Sequence, residues 1–157
     1  MDRMDLIKKI LVAIDGSEHA DKALDFALDL AEKYSATVTI INVFQVPRVI
    51  YPMVEYPGEP FAYPATWDEF TKEVKVAHEK ILSNALKRAK DLKPNLKISN
   101  VLEEGRPADK IVETAKEGNF DLIVMGHRGL GRVKEFFLGS VADRVADEAH
   151  CPVIIVK

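Results

Sequence analysis

Cysteine is nearly missing from this chain of 157 residues: Cys151 stands alone. That excludes an internal disulfide and fits a reducing compartment. Cys151 sits beside Pro152 at the mouth of an apolar strand, the setting of an inert buried thiol and not of a nucleophile. Long apolar runs are missing too. Ile10-Leu11-Val12-Ala13-Ile14 and Val153-Ile154-Ile155-Val156 are among the longest, far short of the roughly 20 residues of a membrane-spanning helix. Positive charge is not in excess, since the formal net charge is -3, and bulk attraction to nucleic acid is thereby excluded. The N-terminus passes almost directly into Lys8-Lys9 and a strand, without the marks of a signal peptide. The expectation is a cytoplasmic protein with neither a membrane nor a nucleic-acid partner.

Several chemical signatures are also lacking. There is no G-x-x-x-x-G-K-[ST], no G-x-G-x-x-G in the first strand–helix turn, and no serine or cysteine in a G-x-S-x-G elbow. His19, His78 and His150 are scattered without metal-ligand spacing, and His127 reads as a loop residue.

What is present is an apolar fraction of 47% with 30% charged residues, enough for one domain with a real core over residues 1–157. Residues 10–14 form a β-branched and aliphatic run ending in Asp15-Gly16-Ser17. A helix follows, with Ala20, Ala23, Leu24, Ala27, Leu28, Ala31 and Tyr34 on one face. Residues 37–44 read as the next strand. An excursion over 46–65 then holds five of the 8 prolines and continues neither helix nor central strand. It ends at Thr66-Trp67-Asp68-Glu69, which reads as a helix capping box. The helix beyond it is expected to bury Phe70, Val74, Ala77, Ile81, Ala85 and Ala89 and to stop at Pro94. Residues 97–102 are a short strand. Pro107 opens a helix lined by Ala108, Ile111, Val112 and Ala115 and capped by Gly118. Residues 121–125 form a fourth strand, Ser140 to about Ala149 a last helix, and residues 153–156 a closing strand. Strands separated by helices of this length imply crossovers, hence a three-layer, doubly wound α/β fold with a parallel five-stranded sheet.

Between the fourth strand and the last helix lies Met125-Gly126-His127-Arg128-Gly129, with Gly139-Ser140 after nine intervening residues. Ser140 and Asp143 read as a capping box. A strand ending in glycine, a loop and a helix N-terminus make an anion site, because first-turn N–H groups are free and the helix dipole favours negative charge. Arg128, Arg132 and Lys134 stand against a single Glu135 in this loop. Taken singly, the glycines are turn formers, Ser140 a cap, Asp15 the start of an ordinary turn and the cations a solvated surface. Their conjunction points to phosphate. Doubly wound sheets bind ligands at the carboxyl ends of their strands, where the winding reverses. In a strand order of 3-2-1-4-5, taken from fold precedent, that crevice lies between Asp15 and Gly126.

The spacing G-x2-G-x9-G-[ST], met by Gly126, Gly129, Gly139 and Ser140, resembles the ATP-binding branch of the universal stress protein family. Residues 10–15, Gly105-Arg106-Pro107 and the stretch from Ser140-Val141 to Cys151-Pro152-Val153 extend the likeness over nearly the whole chain. The resemblance implies the Rossmann-like universal stress fold and ATP, or another adenine nucleotide, as ligand. Asp15, with Ala13 beside it, would contact the adenosine portion, and Val43 would offer backbone groups to the adenine. Met125 and Gly126 would border sugar and phosphates; Arg128, Gly129, Gly139, Ser140 and Val141 would line the triphosphate loop. Mg2+ would accompany the triphosphate, held mostly by phosphate and water. A homodimer through Val153–Val156 is implied too, and an unpaired apolar edge argues for it independently. The function expected is a nucleotide-dependent sensor or regulatory module in the stress response. The alternatives are a slow ATPase in the same crevice, or a dimeric interaction module that binds no nucleotide.

Overall fold

The computed structural model describes residues 6–46, 63–129 and 138–157, with the backbone alone at 63–67. Its elements alternate: β1 (Lys9–Ala13), α1 (Glu18–Tyr34), β2 (Thr37–Phe44), α2 (Tyr63–Leu92), β3 (Ile98–Glu104), α3 (Pro107–Glu117), β4 (Leu122–Gly126), α4 (Ser140–Glu148) and β5 (Val153–Val156). The strands pair in parallel in the order β3-β2-β1-β4-β5, as expected. Val12 in the central strand stands opposite Ile40 on one side and Val124 on the other.

Helices cover both faces, which is why β1 over residues 10–13 and β4 over residues 122–125 are apolar at successive positions instead of at alternate ones. On one face Ile10 and Val12 meet Ala23, Leu24, Ala27 and Leu28 of α1 and Leu82 and Ala89 of α2. On the other, Leu11, Ala13, Ile123 and Met125 meet Ala108, Ile111 and Ala115 of α3 and Ala142 and Val145 of α4. The predicted face of α1 is buried, with Tyr34 half-buried at its end. Ser17 caps this helix by accepting from the Ala20 N–H at 3.2 Å, and Ser35 ends it at φ 56.

Four expectations change. First, α2 begins at Tyr63, so Thr66 lies within it and is not its cap; Pro64 is tolerated in a first turn, where no intrahelical N–H bond is due. Most of the 46–65 excursion lies outside the described residues.

Second, the buried face of α2 is shorter than predicted. Phe70 and Ala77 are exposed, Val74, Ile81 and Ala85 are half-buried, and Leu82 and Ala89 carry the packing. Thirty residues of helix span about 45 Å, while the 8 residues of β2 span about 26 Å. The N-terminal part of α2 therefore stands beyond the carboxyl edge of the sheet.

Third, β3 runs to Glu104 and β4 to Gly126, each past its predicted end. Fourth, Gly118 caps α3 at φ -82, and the left-handed residue is Asn119 at φ 50. Glycine is needed at 118 for space, because a Cβ there would overlap the Phe120 ring.

Candidate functional site

A cavity of about 360 Å³ opens at the carboxyl edge of β1 and β4. These strands are neighbours, and the chain leaves β1 toward β2 but leaves β4 toward β5. It is the reversal point at which doubly wound sheets hold ligands. Ala13 of β1 and Ile14 and Asp15 just after it come to the cavity, with Ile41 and Val43 from β2 and Met125 and Gly126 from β4. Arg128, Gly129, Gly139, Ser140 and Val141 approach from the loop and α4; Pro107 and Ile111 of α3, Ala20 of α1 and His78 of α2 add further wall. All ten candidate residues named from the sequence thus line one cavity, although they are spread from position 13 to position 141. Arg132, Lys134 and Glu135 lie outside the described residues.

The loop after β4 is pinned at both ends. His127 donates its N–H to Val156 O at 2.8 Å, and Gly139 donates to His127 O at 2.9 Å. A Cβ on Gly126 would stand 2.8 Å from the backbone of His19, and one on Gly139 would stand 3.3 Å from His127 O. The lack of side chains at these positions lets α1 and the start of α4 close onto the end of β4.

This packing also moves the helix cap. Gly139, at φ -59 and ψ 146, is the N-cap of α4; Ser140 is its first helical residue, and no side chain caps the helix. The extended turn is set by the Gly139–His127 hydrogen bond, so the predicted Ser140–Asp143 capping box does not form. Asp143 N takes Gly139 O, and the N–H groups of Ser140, Val141 and Ala142 have no intrahelical acceptor. They stand at the cavity, where the helix dipole is positive.

Basic side chains gather at this end. An Arg128 terminal nitrogen lies 3.4 Å from His19 Nε2, and the His19 and His127 rings are 6.3 Å apart. Burial, and then the nearby Lys157, Arg128 and His19, hold His127 below its ordinary pKa of 6.5. Arg128 Nε and His19 Nδ1 are buried without a hydrogen-bond partner among the described residues. Among these residues the cluster is an arrangement that an anion would complete.

Asp15 is the one carboxylate among the described cavity-lining residues. Its Oδ1 accepts from Ser17 N at 2.9 Å, so the ordinary turn that the sequence allows is real. The same residue nevertheless faces the cavity. Among the described residues, no group of three His, Cys, Asp or Glu side chains could hold a metal ion, and no helix is long and apolar enough to cross a membrane.

Two polar residues escaped the sequence reading. Asn42, in the middle of β2, is 1% exposed. It donates from Nδ2 to Ile14 O at 2.9 Å and meets His78 Nδ1 through Oδ1 at 2.6 Å. An asparagine inside Ile40-Ile41-Asn42-Val43-Phe44 was the available signal, since a buried amide needs partners. Its partner on α2 could not be read from the sequence.

Residues 6–157 match the universal stress protein family. The chain belongs to that family. Universal stress protein YxiE of Bacillus subtilis is 36% identical over 152 residues, covering 97% of this chain and 100% of YxiE. A universal stress protein solved in complex with cAMP is similar in structure with a TM-score of 0.71 at 25% identity, over 98% of this chain and 99% of that one. The universal stress protein from Archaeoglobus fulgidus in complex with dAMP gives a TM-score of 0.58 at 25% identity, over 96% and 98% of the two chains. The universal stress family and the crevice geometry thus meet in one molecule.

Proposed function

We propose that this universal stress protein binds ATP in the crevice between β1 and β4 and serves as a nucleotide-dependent sensor or regulatory module in the stress response. The observation that carries this reading is the meeting, at one cavity, of first-turn N–H groups of α4 with the half-buried Arg128, whose Nε is buried without a partner among the described residues. An anion is the ligand such a pair stabilises. Solved relatives bound to cAMP and dAMP support an adenine nucleotide as its source, and the G-x2-G-x9-G-S spacing supports the triphosphate of the ATP-binding branch. Gly129, Gly139, Ser140 and Val141 receive the phosphates with Arg128; Met125 and Gly126 border the sugar, and Ala13, Asp15 and Val43 border the adenosine. The protein offers no carboxylate cluster to Mg2+ among its described residues, so phosphate oxygens and water supply most of the ligands.

A regulatory role is favoured because Asp15 is the one carboxylate among the described cavity-lining residues, and one of its oxygens is already bonded to Ser17 N. Turnover of ATP by the isolated protein is slow or negligible on this reading. β5 is an edge of the described sheet and its four residues are only half-buried. Pairing with a second copy would cover that apolar edge, which supports a homodimer.

Native mass spectrometry of freshly purified protein, followed by titration with Mg-ATP, tests the reading. Adenine nucleotide on a dimer, or saturable binding that Gly139→Val abolishes without unfolding the chain, is the expected result. Protein that carries no nucleotide and gains no thermal stability from Mg-ATP would leave a dimeric interaction module instead. Hydrolysis at about 1 per second or faster would make it an enzyme.

A further inference from the structure

Asn42 and His78 constrain each other's hydrogens. Ile14 O can only accept, so the group facing it at 2.9 Å is the Asn42 amide nitrogen. The Asn42 carbonyl oxygen is then the atom that meets His78 Nδ1 at 2.6 Å, and an acceptor there requires the hydrogen on Nδ1. In a neutral imidazole the other nitrogen, Nε2, must carry the lone pair. The ring is steadied by Phe44, whose centroid lies 5.8 Å away. His78 lines the cavity, and Nε2 has no hydrogen-bond partner among the described residues. Asn42 is 1% exposed, so the relay is anchored in the core and aims one fixed acceptor away from it.

The position of this acceptor matters. The cations gather over β4 and the start of α4, whereas Asn42 belongs to β2, on the far side of β1. Two strand spacings are about 10 Å. A nucleotide with its phosphates on the glycine loop would lay its base toward β2, where Ile41 and Val43 supply apolar wall.

We infer that His78 is a specificity-determining residue for the base of the nucleotide, with Nε2 accepting a hydrogen bond from the exocyclic 6-amino group of adenine. The inference rests on the nucleotide reading above. Adenine presents a donor at that position. Hypoxanthine and guanine present a carbonyl oxygen, which would face the Nε2 lone pair with no hydrogen between them, and a polar group left unpaired in this way selects strongly against the wrong ligand. Asn42 is a positioning residue: it selects the tautomer that makes His78 an acceptor.

The test compares ATP with purine riboside 5′-triphosphate, which lacks only the 6-amino group, by calorimetric titration in the presence of Mg2+. The wild-type protein is expected to bind the deaminated analogue about tenfold more weakly. His78→Phe keeps the ring against Phe44 but removes the acceptor, and there the difference should shrink toward none. The same loss in variant and wild type, or no loss in wild type, overturns the assignment while leaving nucleotide binding intact. Wild-type protein that binds neither compound overturns both readings. Nitrogen-15 NMR of histidine-labelled wild-type protein needs no variant. Nε2 of His78 should be unprotonated in the free protein and shift on addition of ATP but not of the analogue; a protonated Nε2 in the neutral free ring overturns the proposal.

Discussion

Asp15 Oδ2 occupies the space that a side chain on Gly129 would need. The loop after β1 and the loop after β4 therefore touch through one carboxylate, which is held from its other oxygen by Ser17 N at 2.9 Å. A methyl group at 129 must displace either the carboxylate or the phosphate loop. Gly129→Ala is expected to weaken Mg-ATP binding on the order of tenfold or more with little change in melting temperature, since residue 129 is exposed. Titration calorimetry beside a thermal scan checks this; unchanged affinity would detach the contact from binding.

The Asn42 relay carries a stability prediction of its own. Asn42→Leu leaves Ile14 O and His78 Nδ1 without their partner in a buried site, at a cost of about 1–3 kcal/mol per unsatisfied group. Thr39→Val removes a bond of similar appearance, Thr39 Oγ1 to Ser99 Oγ at 3.1 Å, but an exposed one. That change should stay within about 0.5 kcal/mol. Urea unfolding of the two variants measures the contrast.

Gly118→Ala should destabilise by about 1–3 kcal/mol. The added Cβ overlaps the ring of Phe120, which is buried in the core beneath α3 and has Lys9 Nζ 4.8 Å from its centroid. Chemical denaturation decides it, and an effect near zero would mean the ring can swing aside.

His127 sets a dependence on pH. Its folded pKa lies below the ordinary 6.5, through burial first and then the charges of Lys157, Arg128 and His19. Below that ordinary value the unfolded chain takes up the proton before the folded one does. Stability therefore falls as pH drops below about 6.5, until His127 is also protonated in the native state. His127→Gln should flatten this part of the melting-temperature profile. A phosphate anion beside the ring would favour its charged form, so nucleotide binding near neutral pH should take up protons. Binding heats measured in buffers of different ionisation enthalpy would show it.

The edge of β5 offers a selective probe of the proposed dimer. Pro152 and Val156 accept from Ile123 and His127 through their carbonyls. By the alternation of a parallel ladder, the N–H groups of Val153 and Ile155 face away from β4. Ile155→Pro removes an outward donor while sparing the β4 ladder. Sedimentation should show a shift from dimer to monomer with Mg-ATP affinity retained; an unchanged dimer would place the interface elsewhere.

Much of the site was legible because its residues sit at ends of elements, where composition changes abruptly. Asp15 and Gly126 each mark the exit of an apolar run, and Gly139-Ser140 marks a helix entrance. The cap at Ser140 was misread by one residue because Gly139 N bonds to His127 O, a contact between chain segments that no local pattern reports. The face of α2 was misread for a different reason. Steps of three and four residues drift around so long a helix, so Phe70 and Ala77 stand roughly 100–120° from Ala89, and the buried stripe follows Leu82 and Ala89 instead.

Local periodicity was enough for the alternating elements and the glycine spacing for the family, because each depends on neighbours within a turn, a strand or one loop. Most of the residues at the crevice came from the family resemblance that this spacing carries. The neighbours across the crevice depend on how helices and strands come together in space. Only folding brings Asn42 and His78, 36 positions apart, within 2.6 Å. Only folding leaves Arg128 Nε buried without a partner among the described residues, and shape and burial of that kind make a glycine-rich loop into a candidate anion site.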